Sequence, residues 1–305
     1  MSEQVMIISH AVDMDGWFSA AVLMLKYGKE NCIYVPADYA YEASVFTALL
    51  TSIIDGTCPK TVFITDFSFN PNNFRAIAAA AQHHDVKVWW FDHHESAIER
   101  TKQFPALTEL PGVRNIDYSA AKLVADWAGA EDKQKQIIQV VSDYDTWNFD
   151  EKKYWGQMGP VFNAWFNFQS LPPEKMVDRA ITVLTGNVWE GAMELGSKLI
   201  LDKKAQFESI AKQAMFVQYD NLTAAVFNCS EKGAGYVAIN LYDKCDFAVS
   251  WRVLGNGKVS VSFCSDESGP DVSKIASKFG GGGHEHASGA TVSFQTFSEA
   301  FLSDI

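Results

Sequence analysis

Acidic residues and histidines collect in four short stretches that lie far apart along the chain. They are His10-Ala-Val-Asp13-Met-Asp15-Gly16, Asp66 within Ile64-Thr-Asp-Phe-Ser68, Asp92-His93-His94, and Ser142-Asp143-Tyr144-Asp145. Several carboxylates within a few ångströms of one another repel strongly unless protons or cations neutralise them. Mixed carboxylate and imidazole ligands suit Mn²⁺, with Mg²⁺ or Co²⁺ as alternatives, and two such ions would remove the repulsion. The residue types therefore predict a dinuclear metal centre, provided that the fold brings the four stretches together.

The elements predicted before these stretches would bring them together. Short apolar runs predict strands at Val5–Ser9, Thr61–Thr65 and Val86–Phe91, each of which ends where one of the first three stretches begins. Helical spacing is found between them, at Trp17–Tyr27 and Phe74–Gln82. This alternation predicts an α/β fold with a parallel sheet and helices on both faces. Ligands of such sheets bind beyond the carboxyl ends of the strands, where the acidic stretches lie.

The fourth stretch is predicted to follow a helix over Gln134–Ser142. An earlier helix is predicted over Ser119–Ala128, with Ser119 as its N-cap. The aromatic segment 154–169 is interpreted as a loop, and further helices are predicted at Glu174–Val183 and Glu190–Met215. The acidic residues would thus be delivered by three strands and one helix.

The last third of the chain has a different pattern. Strands are predicted at Ala224–Asn228, Tyr236–Leu241, Phe247–Val253 and Val259–Phe263, with a hairpin turn at Gly255-Asn-Gly257. A helix beginning at Asp271 or Ser273 leads into Phe279-Gly-Gly-Gly-Gly-His284-Glu-His286-Ala-Ser-Gly289. Consecutive glycines allow backbone N–H groups to approach a phosphate, and His284 can donate to the same oxygen. We therefore predict a catalytic domain over residues 1–185, a helical connector over 186–215, and a smaller α/β substrate-binding domain over 216–305.

Composition limits the partners of the chain. The 305 residues carry a formal net charge of −12, which opposes binding of long duplex nucleic acid, where lysines and arginines must neutralise phosphates. The five cysteines have no C-x-x-C pair and favour neither a disulfide framework nor a zinc site. No apolar run is long enough for a membrane span and no leader pattern is found. We expect a soluble cytoplasmic protein without a membrane partner. The sequence leaves open whether the chain forms a homodimer.

The four stretches resemble the motifs of the DHH phosphoesterase superfamily, which is named for the triplet found here as Asp92-His93-His94. The resemblance implies that His10, Asp13 and Asp66 hold one ion. It implies that Asp15, His93, Asp143 and the bridging Asp66 hold the second, although Asp145 competes with Asp143. Asp92 would orient a histidine, and His94 would face the substrate phosphate. The implied cofactor is two Mn²⁺ ions, with Mg²⁺ or Co²⁺ as alternatives.

The glycine-rich stretch resembles the G-G-G-H-x-x-A-[AS]-G signature of the DHH-associated nucleotide-binding domain. The resemblance implies that the substrate is bound by Gly281, Gly282, Gly283, His284 and Ser288. Family members often carry an arginine in a preceding V-S-x-R-S pattern, whereas this chain has Val261-Ser-Phe-Cys264-Ser265. Arg252 on the neighbouring predicted strand is the alternative cation, provided that strand alternation puts it on the correct face.

The resemblance implies hydrolysis of a phosphodiester by a hydroxide that bridges two ions, with His94 and His284 stabilising the developing charge. The expected substrates are short oligonucleotides or linear or cyclic dinucleotides, which would be cut to mononucleotides. The alternatives are a phosphatase acting on 3′-phosphoadenosine 5′-phosphate, a RecJ-like single-strand exonuclease, and a nucleotide-binding regulator without catalysis. The glycine-rich histidine loop disfavours an inorganic pyrophosphatase.

Overall fold

The structure is a computed structural model that describes residues 3–149, 157–229 and 234–302. The chain divides into two compact units, Met1–Leu199 and Ile200–Ile305. The division falls inside the helix Trp189–Ala211, which lies within the predicted connector 186–215. No helix formed by the described residues combines the length and the apolar character needed to cross a membrane.

The first unit is built on a four-stranded parallel sheet. Its strands are β1 (Val5–His10), β2 (Cys32–Ala37), β3 (Thr61–Thr65) and β4 (Lys87–Phe91), in the order β2-β1-β3-β4. The helices that begin in this unit are α1 (Met14–Tyr27), α2 (Glu42–Ile54), α3 (Pro71–His83), α4 (Glu95–Thr101), α5 (Pro105–Thr108), α6 (Ala120–Ala128), α7 (Asp132–Asp145), α8 (Met158–Phe166), α9 (Pro173–Thr185) and α10 (Trp189–Ala211). Single 3₁₀ turns lie at Lys29–Asn31 and Tyr39–Tyr41.

Alternate side chains of the strands enter two separate cores. On β1, Val5 and Ile7 pack into a core formed with α1, α6, α7, α8 and α9, whereas Met6 and Ile8 face the core formed with α2 and α3. Burial on both faces accounts for the continuous apolar runs that marked these strands in the sequence. The predicted α/β class, with a parallel sheet covered on both faces, is confirmed.

The second unit contains a six-stranded mixed sheet. Its strands are β5 (Met215–Tyr219), β6 (Leu222–Asn228), β7 (Phe247–Val253), β8 (Lys258–Cys264), β9 (Gly282–Gly283) and β10 (Ala287–Ser293), in the order β5-β6-β7-β8-β10-β9. Among the described residues of this sheet, β6 and β7 pair in parallel and the other neighbouring strands are antiparallel. Helices α12 (Val272–Lys278) and α13 (Phe294–Phe301) contribute to the core on one face of the sheet, and the short helix α11 (Ala234–Ala238) packs against β7 and β8.

Three predicted elements are wrong in part. The strand predicted at Tyr236–Leu241 is instead helix α11 and the turn after it, because a short buried apolar run fits either state. The segment predicted as an aromatic loop contains α8, and its first residues, 154–156, lie outside the described residues. The long helix ends at Ala211, and Met215 begins a strand.

Close packing at the end of β1 depends on the absence of a side chain at Gly16. A Cβ atom built there would lie only 1.8 Å from the carbonyl oxygen of His10. The Cβ atom is fixed by the backbone of residue 16, and the oxygen belongs to the backbone of His10. No side-chain rotation can therefore relieve this overlap. Gly16 therefore fixes how closely the first turn of α1 approaches the strand end that carries His10.

We expect the substitution Gly16→Ala to lower the free energy of unfolding by at least about 2 kcal/mol, because it forces backbone movement in a packed region. Urea denaturation measures the change. Gly191→Ala is the matched control: Gly191 is also helical, and an added Cβ meets nothing within 4 Å. The control should be neutral or stabilising, since alanine is the better helix former. Equal effects of the two substitutions would contradict this account.

Candidate metal centre

The register of the parallel sheet aligns the ends of three strands. Thr65 of β3 lies opposite both Ser9 of β1 and Phe91 of β4. The next residues along these strands are His10, Asp66 and Asp92. The three acidic and histidine stretches that follow the strands are therefore adjacent because of backbone pairing alone.

Asp66 is the residue at which the cluster meets. Its Oδ2 lies 3.5 Å from Nδ1 of His10, and its Oδ1 lies 3.4 Å from Nε2 of His93. Its backbone is left-handed, with φ = 52°, a conformation that aspartate tolerates better than most residues. Its N–H donates to the carbonyl of Phe91 at 2.9 Å, which holds the turn against the neighbouring strand. The two carboxylate oxygens therefore face two different histidines.

The first stretch places its residues around the start of α1. Asp13 is the N-cap of this helix and accepts a hydrogen bond from the N–H of Gly16 at 3.2 Å. Its other oxygen lies 3.0 Å from Nδ1 of His10. One turn into the helix, the buried hydroxyl of Ser19 bonds to the carbonyl of Gly16 and to Thr65 Oγ1 at 2.8 Å. This contact ties the helix start to the strand that carries Asp66.

Asp15 is buried and receives its charge compensation from a helix end. Its carboxylate oxygens accept hydrogen bonds from the N–H groups of Ala120 and Ala121, both at 2.7 Å. These groups are in the first turn of α6, whose N-cap is Ser119 as predicted. The positive end of a helix dipole stabilises a carboxylate in this place. Oδ2 of Asp15 also lies 3.5 Å from Nε2 of His93, which brings Asp15 into the cluster.

Asp92 holds the neighbouring histidines instead of facing outward. Its Oδ1 accepts hydrogen bonds from the N–H groups of His93 and His94 and lies 2.8 Å from Nδ1 of His94. Because a carboxylate only accepts, this contact places the proton of the imidazole on Nδ1. Nε2 is then the second ring nitrogen, which accepts in the neutral imidazole and donates when the ring is protonated. The geometry fits the orienting role that the resemblance implied for Asp92.

The structure brings Asp145, not Asp143, to the cluster. Oδ2 of Asp145 lies 3.1 Å from Nε2 of His93, whereas Asp143 accepts hydrogen bonds from Gln139 and Asn148. Two residues along a helix are about 200° apart around its axis, so the two carboxylates point to nearly opposite sides. Asp145 continues the buried face of Ile138 and Val141. Asp145, the alternative that the sequence had left open, is therefore the better placed of the two aspartates to join the cluster.

The pKa values show a cluster whose charges are not balanced by its own residues. Burial, followed by the charge of Asp66, raises the pKa of Asp15, and burial raises that of Asp145 to about 7. Burial alone would lower the pKa of His10 and His93, but the facing carboxylates outweigh it and raise both. Burial opposes ionisation of Asp66, yet hydrogen bonds from His10 and His93 hold its pKa below the ordinary range. Protons on the two histidines therefore occupy the place that cations would take.

The donor set fits a pair of hard divalent cations. Ligand atoms of His10, Asp13 and Asp66 lie within 4.8 Å of one another, and so do those of Asp15, Asp66 and His93. The two groups share Asp66. Among the described residues, Oδ2 of Asp66 and Oδ2 of Asp145 are buried, and the nearest imidazole nitrogens, of His10 and His93, are not aligned for a regular hydrogen bond to them. Carboxylate and imidazole ligands of this kind favour Mn²⁺ or Mg²⁺ over metals that prefer thiolates.

In the second unit, the glycine-rich stretch is a tight hairpin. Gly282 and Gly283 pair with Gly289 and Ser288 of β10. A Cβ on Gly281 would lie 2.0 Å from the carbonyl of Gly289, and Gly283 has φ = 142°. Packing against β10 therefore requires glycine at both positions, in addition to any role in binding phosphate.

The other predicted substrate ligands of this unit occupy different places. His284 and Ala287 exchange backbone hydrogen bonds across the turn, and the hydroxyl of Ser288 donates to the carbonyl of Val272 at 2.7 Å. Arg252 lies opposite Ser260, so it shares a face with Cys264 but sits four residues, about 14 Å, further along the sheet. The register thus moves Arg252 away from the glycine-rich hairpin, and its predicted role as the substitute cation has no support from this placement.

Two residues near these sites were not predicted from the sequence. Tyr39 packs against His10 and His94 of the acidic and histidine cluster. In the second unit, Nδ1 of His286 lies 3.0 Å from Oγ of Ser265, next to Cys264. His286 occupies a position that the glycine-rich signature leaves unspecified, and Tyr39 follows β2, whose sequence Cys32-Ile-Tyr-Val-Pro-Ala37 is a short apolar run.

One family model matches residues of the second unit. Residues 220–305 match the family model described as the DHHA1 domain. The whole chain is similar to uncharacterized protein R106 of Acanthamoeba polyphaga mimivirus, with 23% identity over 94% of this chain and 67% of that protein. The glycine-rich hairpin lies inside the matched DHHA1 residues.

Solved structures share the fold of the whole chain. The pGpG-specific phosphodiesterase PggH of Vibrio cholerae has a TM-score of 0.52 and 14% identity, covering 97% of this chain and 96% of its own. The DHH domain of a member of the s1p family of ribosomal proteins has a TM-score of 0.62 and 12% identity, covering 99% of this chain and 86% of its own. RecJ of Thermus thermophilus in complex with Mn²⁺ has a TM-score of 0.51 and 14% identity, covering 99% of this chain but 51% of the RecJ chain. At these identities the similarity concerns the fold.

The two helical aspartates provide a direct test of the ligand set. We expect Asp145→Asn to weaken Mn²⁺ binding by at least about tenfold, since even residues that only orient a ligand cost that much when changed. Asp143→Asn should leave the affinity unchanged, because asparagine still accepts the hydrogen bonds of Gln139 and Asn148. Calorimetric titration of the metal-free variants with Mn²⁺ measures both affinities. A larger loss of affinity for Asp143→Asn than for Asp145→Asn would instead make Asp143 the ligand.

The pKa directions predict how the stability of the metal-free protein depends on pH. A carboxyl whose pKa is raised on folding, as for Asp145, costs stability as pH rises from its ordinary value towards about 7. A histidine whose pKa is raised, as for His10 and His93, stabilises the fold below its ordinary value and loses this effect as pH rises through the folded value. Both effects have the same sign, so the melting temperature should fall between roughly pH 5 and 8.

Thermal unfolding with and without Mn²⁺ checks this expectation. Because the ion displaces protons from the histidines, the increase in melting temperature caused by Mn²⁺ should be larger at about pH 8 than at about pH 6. Asp145→Asn is the control and should make the pH dependence of the metal-free protein shallower. A Mn²⁺ effect that is absent, or equal at both pH values, would count against ligation by the histidines.

Proposed function

We propose that this chain, which has the fold of the DHH superfamily and a DHHA1 domain at residues 220–305, is a Mn²⁺-dependent phosphodiesterase. Its proposed substrates are short oligonucleotides or linear or cyclic dinucleotides, cleaved to mononucleotides. The observation that carries the proposal is the pair of ligand groups that share Asp66. A carboxylate with one oxygen towards each group suits a pair of ions and has no comparable use in a folding core.

Two sets of residues in the first unit would hold the two ions. His10, Asp13 and Asp66 would hold one ion, and Asp15, Asp66, His93 and Asp145 the other. When bound, two ions of this kind supply a water activated for attack and neutralise the oxygens of a phosphoryl group. Asp15 reaches its position through the N–H groups of α6, and Asp66 through the backbone of β4. Backbone contacts thus place Asp15 and Asp66 without the help of an ion.

His94 is suited to a role at the substrate phosphate. Burial alone would lower its pKa, but the hydrogen-bonded carboxylate of Asp92 outweighs burial and raises it. A protonated imidazole held at Nδ1 presents its Nε2–H in a fixed direction. That donor can stabilise the charge that develops on a phosphoryl oxygen in the transition state. In the second unit, we propose that His284 and the hairpin glycines bind substrate.

Charge and similarity favour short substrates. A net charge of −12 is unfavourable for tracking a long polyanion, whereas a dinucleotide brings few phosphates, which the ions can neutralise. The similar structure from Vibrio cholerae is described as a pGpG-specific phosphodiesterase. A linear dinucleotide is therefore the substrate that we would test first.

A single-strand exonuclease is the second candidate, because RecJ shares the fold. The chain spans about half of the RecJ structure, and its acidic composition favours small substrates over a strand that must be threaded. The two functions differ in the length of substrate that each prefers.

We expect the metal-loaded protein to convert linear dinucleotides and short oligonucleotides to mononucleotides faster than it digests a long single strand. The panel also includes cyclic dinucleotides and adenosine 3′,5′-bisphosphate. Asp66→Asn should lower kcat/KM by at least about a hundredfold, because it removes a ligand of both ions. Asp202→Asn, an exposed position on α10, is the control and should retain activity.

Preferential digestion of the long strand would support the RecJ-like alternative instead. Release of phosphate from adenosine 3′,5′-bisphosphate alone would indicate a phosphatase. Binding of nucleotides without turnover of any member of the panel, with Mn²⁺, Mg²⁺ or Co²⁺, would overturn the enzymatic proposal and favour a regulator.

A further inference from the structure

Tyr39 reaches the metal centre from a strand that contributes no acidic residue. It begins the 3₁₀ turn Tyr39–Tyr41, whose cap Asp38 accepts a hydrogen bond from the N–H of Ala40 at 2.8 Å. The strand before it, β2, lies parallel to β1, with Ala37 opposite His10. The backbone of Ala11 also donates to the carbonyl of Ala37 at 2.8 Å. The residues that follow β2 are therefore held beside the first metal-binding stretch.

The ring of Tyr39 contacts residues from three different strand ends. Its centroid lies 4.8 Å from that of Phe67, in a stacked arrangement, and 5.4 Å from that of His10. The ring of His94 meets it edge-on at 6.4 Å. One side chain thus connects His10 after β1, Phe67 after β3 and His94 after β4.

These contacts restrict rotation of the His10 ring and tilting of the His94 ring, the two movements that would disturb their proposed roles. Nδ1 of His10 faces Asp13 and Asp66, so rotation of its ring would remove a ligand from the first group. Asp92 holds one nitrogen of His94 but does not by itself fix the tilt of the ring. Tyr39 supplies a rigid aromatic surface against both rings, while Phe67 beneath it is fully buried and fixed by the core.

From these contacts we infer that Tyr39 is a positioning residue of the metal centre: its ring holds the imidazoles of His10 and His94 in the orientation that binding of the ion and of the phosphate requires. The inference rests on the proposed function, since it concerns the same site. Tyr39 keeps 45% of its surface exposed, so the residue lies between the two histidines and solvent. Its position at the surface of the centre fits a residue that supports ligands from the solvent side.

The test measures Mn²⁺ affinity by calorimetry on the metal-free protein, without substrate. Tyr39→Ala should weaken binding by about 10–100-fold, as expected when the support of a ligating histidine is removed. Tyr39→Phe keeps the ring and should bind Mn²⁺ as the unchanged protein does. Tyr41→Ala is the matched control, because Tyr41 lies in the same turn with 68% of its surface exposed, and it should have no effect.

Urea denaturation of each metal-free variant separates loss of support from loss of folding. If Tyr39→Ala does not fold, Tyr39→Leu replaces it, since leucine retains apolar volume without a planar ring. Unchanged Mn²⁺ affinity in a folded variant lacking the ring would overturn the inference, and so would equal losses for Tyr39→Ala and Tyr41→Ala. Failure of the unchanged protein to bind Mn²⁺ would instead overturn the proposed function, so the two failures are distinguishable.

Discussion

Electrostatic repulsion among buried carboxylates is the constraint on which the first unit is organised. Asp15, Asp66 and Asp92 are almost completely buried, and Asp145 lies against His93. Burial of this many carboxylates is unfavourable unless each finds a compensating charge. The fold provides part of that compensation through the start of α6 and the backbone after β4. The remainder must come from protons on the histidines or from bound cations.

The parallel sheet supplies the precision that such a cluster needs. Because β1, β3 and β4 are paired in register, the residues after them are placed by the same backbone hydrogen bonds that stabilise the sheet. The close approach of Gly16 to His10, and the bond between Ser19 and Thr65, extend this order into α1. The positions of the proposed ligands therefore depend on the packed sheet and helix of this unit more than on the rotamers of flexible side chains.

The sequence predicted the sheet well because its central strands are buried on both faces and read as continuous apolar runs. It also predicted which stretches converge, since strand ends of a parallel sheet meet at one edge. The edge strand β2 is only half-buried and was missed, and with it Tyr39. The family motif alone leaves Asp143 and Asp145 open, whereas the helical spacing from the buried residues Ile138 and Val141 points to Asp145. Strand register, which separates Arg252 from the glycine-rich hairpin, depends on tertiary pairing and cannot be read from local sequence.

The most direct test of the central claim is anomalous scattering at the manganese absorption edge from crystals grown with Mn²⁺. We predict two peaks roughly 3.5–4 Å apart. One should lie beside His10 and Asp13, the other beside Asp15, His93 and Asp145, with Asp66 between them. A single peak away from Asp66, or no peak at these residues, would contradict the claim that the cluster is a dinuclear metal centre.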